Sequence, residues 1–168
     1  MTILHKISVV DISRNYSGIL CSLLLADQGV NVTYFKDKYS EIDHYTHAVF
    51  ARSKHCLVTD WTAQDSLDLL FKNLESADVI IIDWSTQQLQ ELGLDLDRLS
   101  NKYPNLIQLR ITGFPKEYPR YAFPAHDGLI AASTALYTDI SVTRSVLGLP
   151  PFLHQQNRTL NRQLTQQK

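Results

Sequence analysis

The sequence predicts a three-layer α/β sandwich built on a mainly parallel sheet. Three observations carry that reading. Residues 7–35 form a strand–turn–helix–strand unit, residues 77–83 are a continuous apolar run, and strand-like and helix-like stretches alternate as far as residue 112.

The elements follow in order. Residues 7–10 (Ile-Ser-Val-Val) are an apolar run ending at Asp11. A polar turn leads to Gly18. Ile19, Leu20, Leu23 and Leu24, with Asp27, then recur at helical spacing until Gly29 closes the helix. Residues 30–35 read as the second strand. Units of this βαβ kind close right-handed on a parallel sheet, and ligands sit beyond the carboxyl ends of its strands, here the turn from Asp11 to Gly18.

Residues 36–45 are polar and aromatic without a period and read as a loop on the ligand side. His44 and His47, with Asp43 beside them, are metal-ligating types, but no further ligand follows at usable spacing, so a metal site is rejected. Residues 51–55 (Ala-Arg-Ser-Lys-His) make a basic knot before a strand at 56–59. Such a knot is usually a solvated face; this one lies at a strand edge where an anion can dock. Asp60 or Thr62 is expected to cap the next helix, with Asp65 completing a capping box and Leu67, Leu70, Phe71 and Leu74 forming its apolar face.

The run at 77–83 has the pattern of a strand buried on both faces of a parallel sheet. It ends in Asp83-Trp84-Ser85. A short helix at 87–92 stops at Gly93, a second turn at 95–103 stops before Pro104, and a strand at 105–112 ends in Gly113-Phe114-Pro115. Pro115, Pro119 and Pro124 hold an extended loop. Residues 125–136 are a helix rich in small residues. The expected organisation is one domain over 1–139, a connector over 140–153 made rigid by Pro150-Pro151, and a polar, basic tail over 154–168. Leu160 and Leu164 are spaced for a short helix there, but the composition favours a poorly ordered end.

Composition excludes several classes. With 168 residues, 44% hydrophobic, 20% charged and a net charge of −1, the chain is of ordinary globular type. It has no overall basic charge to suggest nucleic acid or an anionic membrane. No apolar run approaches the roughly 20 residues of a membrane helix. Cys21 and Cys56, with no CxxC, suit a reducing cytoplasmic setting and inert packing. No GxGxxG or GxxxxGK[ST] is present to hold a nucleotide phosphate.

The ordered pieces Val-Val-Asp11-Ile-Ser…Gly18, Leu-Leu-Ala-Asp27-Gln-Gly29, Lys54-His55-Cys-Leu-Val-Thr-Asp60, Leu92-Gly93-Leu, Tyr103-Pro104-Asn105, Thr112-Gly113-Phe114 and Pro124-Ala-His126-Asp127 resemble the N-terminal half of the class III CoA-transferases. That family includes α-methylacyl-CoA racemase. The resemblance covers roughly residues 5–153. It implies a Rossmann-like domain whose strand ends bind CoA or acyl-CoA, in an interlocked homodimer. It also implies that a complementary segment or partner chain completes the domain, so that apolar surface is exposed without it. The sequence is expected to be a fragment, a natural half or a minimal relative.

Residue by residue, Asn15 and Tyr16 match the family's contacts to the adenine and ribose side of CoA. Ser53-Lys54-His55 matches its Asn-Lys-Arg at the phosphates, keeping the lysine and losing the arginine. Asp83-Trp84 matches the Asn-Phe of its Glu-Asn-Phe, putting a negative charge where an amide stood, unwelcome near a pyrophosphate. The family's next arginine falls at Glu91, and Gly113 lies in its glycine turn. The transferases attack acyl-CoA with an aspartate just after the connector; after Pro150-Pro151 nothing acidic follows, and the nearest position is Asn157. The racemases' histidine matches His126, beside Asp127, in an acid–base role; a helix-capping or core role is the plainer reading. His126 and Asp83 are expected at one edge of the sheet. Two functions follow: the CoA-binding half of a CoA-transferase or racemase-like enzyme, or a degenerate, non-catalytic binding or interaction module.

Overall fold

The computed structural model describes residues 3–40, 42–114, 117–119, 121, 130–132 and 142–148. Residues 1–122 form one compact unit and residues 123–168 a second. In the first unit a 3-10 turn (Ile3–Lys6) leads into β1 (Ser8–Asp11). Then come α1 (Tyr16–Asp27), β2 (Asn31–Asp37), α2 (His44–Ala51), β3 (His55–Thr59), α3 (Gln64–Leu74), β4 (Val79–Ile82), α4 (Thr86–Leu92), α5 (Leu96–Lys102) and β5 (Ile107–Arg110).

Every strand pair is parallel and the order is β3-β2-β1-β4-β5. The predicted α/β class with a parallel sheet is therefore the observed one. The chain leaves β1 toward β2 and β3, then crosses to β4 on the other flank. This reversal opens a crevice at the carboxyl ends of β1 and β4, where open α/β sheets bind their ligands.

The alternation of the strands divides the core. Val10, Ile12, Phe35, Ile80 and Ile82 pack against Leu70, Leu74, Leu89 and Leu99 of α3, α4 and α5. Val9, Val32 and Ile81 pack against Ala26 of α1 on the other face. Ile80, Ile81 and Ile82 have no exposed surface, each worth about 1.5–3 kcal/mol of burial. This is why β4 reads as a continuous apolar run. The α1 side of the edge strand β5 is less covered: Ile107 and Leu109, level with Val79 and Ile81, are 62% and 38% exposed.

The structure departs from the sequence reading in three places. The loop expected at 36–45 is shorter, because β2 runs on to Asp37 and α2 begins at His44. This helix has only eight residues and no apolar period, and Asp43 starts it by accepting the Tyr45 and Thr46 amides at 3.1 and 3.0 Å. The Thr62–Asp65 capping box does not form. Ala63 stands at the N-cap of α3 without a side-chain bond, while the Thr62 hydroxyl donates to Asp60 Oδ1 at 2.6 Å. In the second unit, residues 142–146 are helical where a connector was expected; the prolines at 150 and 151 lie too far along to forbid a helical turn there. Residues 130–132 are helical within the helix expected at 125–136. The tail at 154–168 lies outside the described residues.

Candidate functional site

The crevice is built from the turn between β1 and α1. Asp11 ends β1 with its side chain fully inside. Its Oδ1 accepts the Ser13 amide at 2.9 Å, and its Oδ2 accepts the Ser22 hydroxyl from the second turn of α1. Lys54 reaches the same pocket from the segment before β3. Its Nζ donates to the Ile19 carbonyl at 2.7 Å and Ser22 Oγ at 2.6 Å, and lies 3.6 Å from Asp11 Oδ2. Burial pushes the Asp11 carboxyl up from its ordinary range and the Lys54 ammonium down. The ammonium passes 5.0 Å from the Tyr34 ring. Tyr34 in turn shares a 3.3 Å hydrogen bond and a stacked contact with the buried His47.

Asp83, just past β4, closes the crevice from the other side. Its two carboxylate oxygens accept the main-chain amides of Arg14 and Asn15 at 2.9 and 2.8 Å, anchoring the start of α1. Burial raises its pKa, with those two amides opposing the rise. Gly18 is required here. A Cβ at that position would collide with the Ser13 side chain and come within 3.1 Å of Asp83 Oδ2. The glycine read as part of the turn thus sits in the first turn of α1, packed onto it.

Arg14 stands at the mouth. Its guanidinium is paired with Asp37 at the end of β2, Nε to Oδ2 at 2.6 Å, and its Cζ lies 4.2 Å from the centroid of Trp84. The Trp84 indole N–H donates to the Ile12 carbonyl. Arg14 borders two clefts. One, of about 470 Å³, is lined by Asn15, Tyr16, Asp37, Tyr39, Ser40 and Ile42; the other, of about 380 Å³, by Trp61, Thr62, Trp84, Gln88 and Glu91 among others. The first presents two exposed aromatic rings, Tyr16 and Tyr39.

The structure therefore brings Asn15, Tyr16, Asp83 and Trp84 to one crevice. Lys54 lies beneath it with its charge enclosed. Ser53, at φ 61°, and His55 are exposed, respectively in the turn before β3 and at that strand's start. Gly113 is exposed beyond β5. His126 and Asp127 lie outside the described residues, as do Pro150, Pro151 and Asn157. Asp43 is occupied in capping α2 and His47 in its contact with Tyr34; among the described residues no group of three His, Cys, Asp or Glu side chains is placed to hold a metal. Sequence reasoning missed Arg14, Asp37 and Tyr39. An acid at the end of the second strand, a recurrent ribose-binding position in such sheets, was the available signal for Asp37.

The sequence profile of CoA-transferase family III matches residues 4–144. The chain belongs to that family. Among curated family members it is 26% identical over 147 residues to a CoA-transferase/lyase of Marinomonas sp., covering 86% of this chain and 18% of that protein. It is 24% identical over 157 residues to a probable fatty acyl-CoA transferase of Mycobacterium tuberculosis, covering 86% and 40%. Human α-methylacyl-CoA racemase is 27% identical over 124 residues, covering 74% and 32%. A crystal structure of the mycobacterial protein superposes with a TM-score of 0.71 at 26% identity over 82% of this chain and 41% of that one. The chain thus spans well under half the length of these family III relatives. Among its own described residues, no helix is long and apolar enough to cross a membrane.

Proposed function

We propose that this chain is the CoA-binding half of a family III CoA-transferase or acyl-CoA racemase, holding CoA or acyl-CoA across the carboxyl ends of its strands. The observation that carries this is the cleft between Tyr16 and Tyr39, at the carboxyl ends of β1 and β2. Asn15 and the two aromatic rings suit an adenine and ribose. The phosphates find less. Lys54 is enclosed, Arg14 is paired with Asp37, and Asp83 adds negative charge, so binding rests on the nucleoside more than on charge neutralisation.

In the transferase reading CoA passes from its acyl group to an incoming carboxylic acid. An enzyme carboxylate attacks the acyl-CoA, giving a mixed anhydride and free CoA thiolate. The thiolate attacks the enzyme carbonyl to give an enzyme–CoA thioester and release the first acid. The second acid takes over the CoA by the reverse of these steps. The carboxylates at the crevice already serve the fold: Asp11 with Lys54, Asp37 with Arg14, Asp83 with the α1 amides. The nucleophile is then supplied from outside these residues, by a complementary segment or a partner chain of different sequence. In the racemase reading His126 exchanges the proton, with Asp127 beside it. The exposed Leu20 and Leu24 of α1, and Ile107 and Leu109 of β5, offer apolar surface for such a partner. A reducing, cytoplasmic setting suits the two free thiols, whose pKa values burial raises.

The internal pairing of the crevice cations favours a second reading, a non-catalytic module that keeps the fold as a binding or interaction surface. Calorimetric titration with free CoA separates the two. Binding with Kd below about 1 mM, roughly −4 kcal/mol, weakened by Tyr16→Ala, supports the CoA-binding half. No heat and no thermal shift supports the module.

A further inference from the structure

We infer that Arg110, at the carboxyl end of β5, is the anchor for the carboxylate of an acid substrate; this rests on the CoA-transferase reading above and names the substrate class for the same strand-end surface. Arg110 is the last residue of β5 and lies level with Ile82 in the register, on the face that carries Gln108. The Gln108 amide is satisfied, donating to the Leu96 carbonyl at 3.3 Å and Ser100 Oγ at 2.9 Å. Arg110 is not. Its Nε and Nη2 are enclosed and have no hydrogen-bond partner among the described residues.

The contrast with its neighbours gives this its weight. Around the same edge of the sheet, Arg14 is held by Asp37, Lys38 by Asp60 and Lys54 by Asp11. Each of these cations has its counter-charge in the chain. Arg110 is half-buried, and enclosed N–H groups left without an acceptor are disfavoured. Its enclosed N–H groups demand an acceptor, and the planar guanidinium fork matches an oxyanion.

Position selects the carboxylate. The sheet order sets β5 three strands from β2, roughly 14 Å at about 4.8 Å per strand. A nucleoside seated beside Asp37 at the end of β2 leaves its phosphates near that strand and sends the pantetheine arm across β1 and β4. The acyl end then arrives at β5, where the acid partner of the exchange has to sit. Thr112 and Gly113, two and three residues past Arg110, are exposed.

The test uses the whole chain, with succinate, propionate, inorganic phosphate and CoA as separate probes in calorimetry and thermal melting. Wild type is expected to be stabilised saturably by the two carboxylates more than by phosphate. Arg110→Met should bind succinate at least tenfold more weakly while binding CoA as wild type does. Without ligand it should melt at or above the wild-type temperature, because two enclosed N–H groups without acceptors have been replaced by an apolar chain of similar length. Undiminished succinate binding by Arg110→Met overturns the assignment, as does a response to phosphate alone. A marked fall in its ligand-free melting temperature also overturns it, by making the guanidinium a structural partner of the chain. If wild type ignores CoA yet binds succinate through Arg110, the acid site stands and the nucleotide reading falls.

Discussion

Lys54 Nζ lies 3.6 Å from Asp11 Oδ2, and neither side chain has any exposed surface. The one lysine that the resemblance places at the CoA phosphates is thus a bolt under α1, tying the segment before β3 to the end of β1. Its other bonds, to the Ile19 carbonyl and Ser22 Oγ, fix the first turns of that helix.

Lys54→Met leaves Asp11 buried without its counter-charge and should cost about 3–5 kcal/mol, read by urea unfolding. Adding Asp11→Asn should recover part of that loss. A Lys54→Met protein of wild-type stability that no longer binds CoA would return Lys54 to the ligand.

Gly18→Ala drives a methyl group into the Ser13 side chain beside Asp83. The expected cost is about 1–3 kcal/mol. Ser13→Gly on the same background should restore most of it, because it removes the colliding atoms. Unfolding curves of the single and double variants check this.

Asp37→Asn keeps an acceptor for the Tyr39 amide, which Asp37 Oδ1 now holds at 2.9 Å, and releases the Arg14 charge. The Arg14 side chain is 37% exposed, so the pair is worth about 0.5–1 kcal/mol. CoA should bind about twofold to fivefold more tightly, with the gain shrinking as salt is added. Titrations at low and high ionic strength test both statements.

His47 gives a pH dependence. Burial holds its pKa below the ordinary 6.5, with the Lys36 charge adding to the effect. The unfolded chain therefore takes up a proton first as the pH falls through 6.5. Stability should drop toward acid over that range, and His47→Gln should flatten the drop. Chemical denaturation at a series of pH values between 5 and 8 measures the slope; an unchanged slope in the variant would assign it elsewhere.

Much of the fold is legible because burial writes itself into residue type. Ile80, Ile81 and Ile82 have no polar position between them because both faces of β4 are covered. Gly93 at φ 76° and the Ser85–Gln88 capping box mark the two ends of α4 in the sequence itself. α2 leaves no such trace: it is short, and its one buried side chain is His47, a polar residue. The site is less legible for a related reason. Residue type shows that Lys54 and Asp83 carry charge, not where that charge points. Lys54 turns inward to an acid 43 positions earlier, and Asp83 turns to amides 68 and 69 positions earlier. Arg110 reads as an ordinary polar residue of an edge strand until its buried, unmatched N–H groups are seen.

The most direct test of the account is amide hydrogen exchange of the whole chain with and without saturating CoA. The cleft at the ends of β1 and β2 predicts slowed exchange at Asn15 and Tyr16 and at Tyr39 and Ser40, with little change along α3 and α5. Protection confined to α3 and α5, or none at all, would contradict a CoA site at the carboxyl ends of these strands.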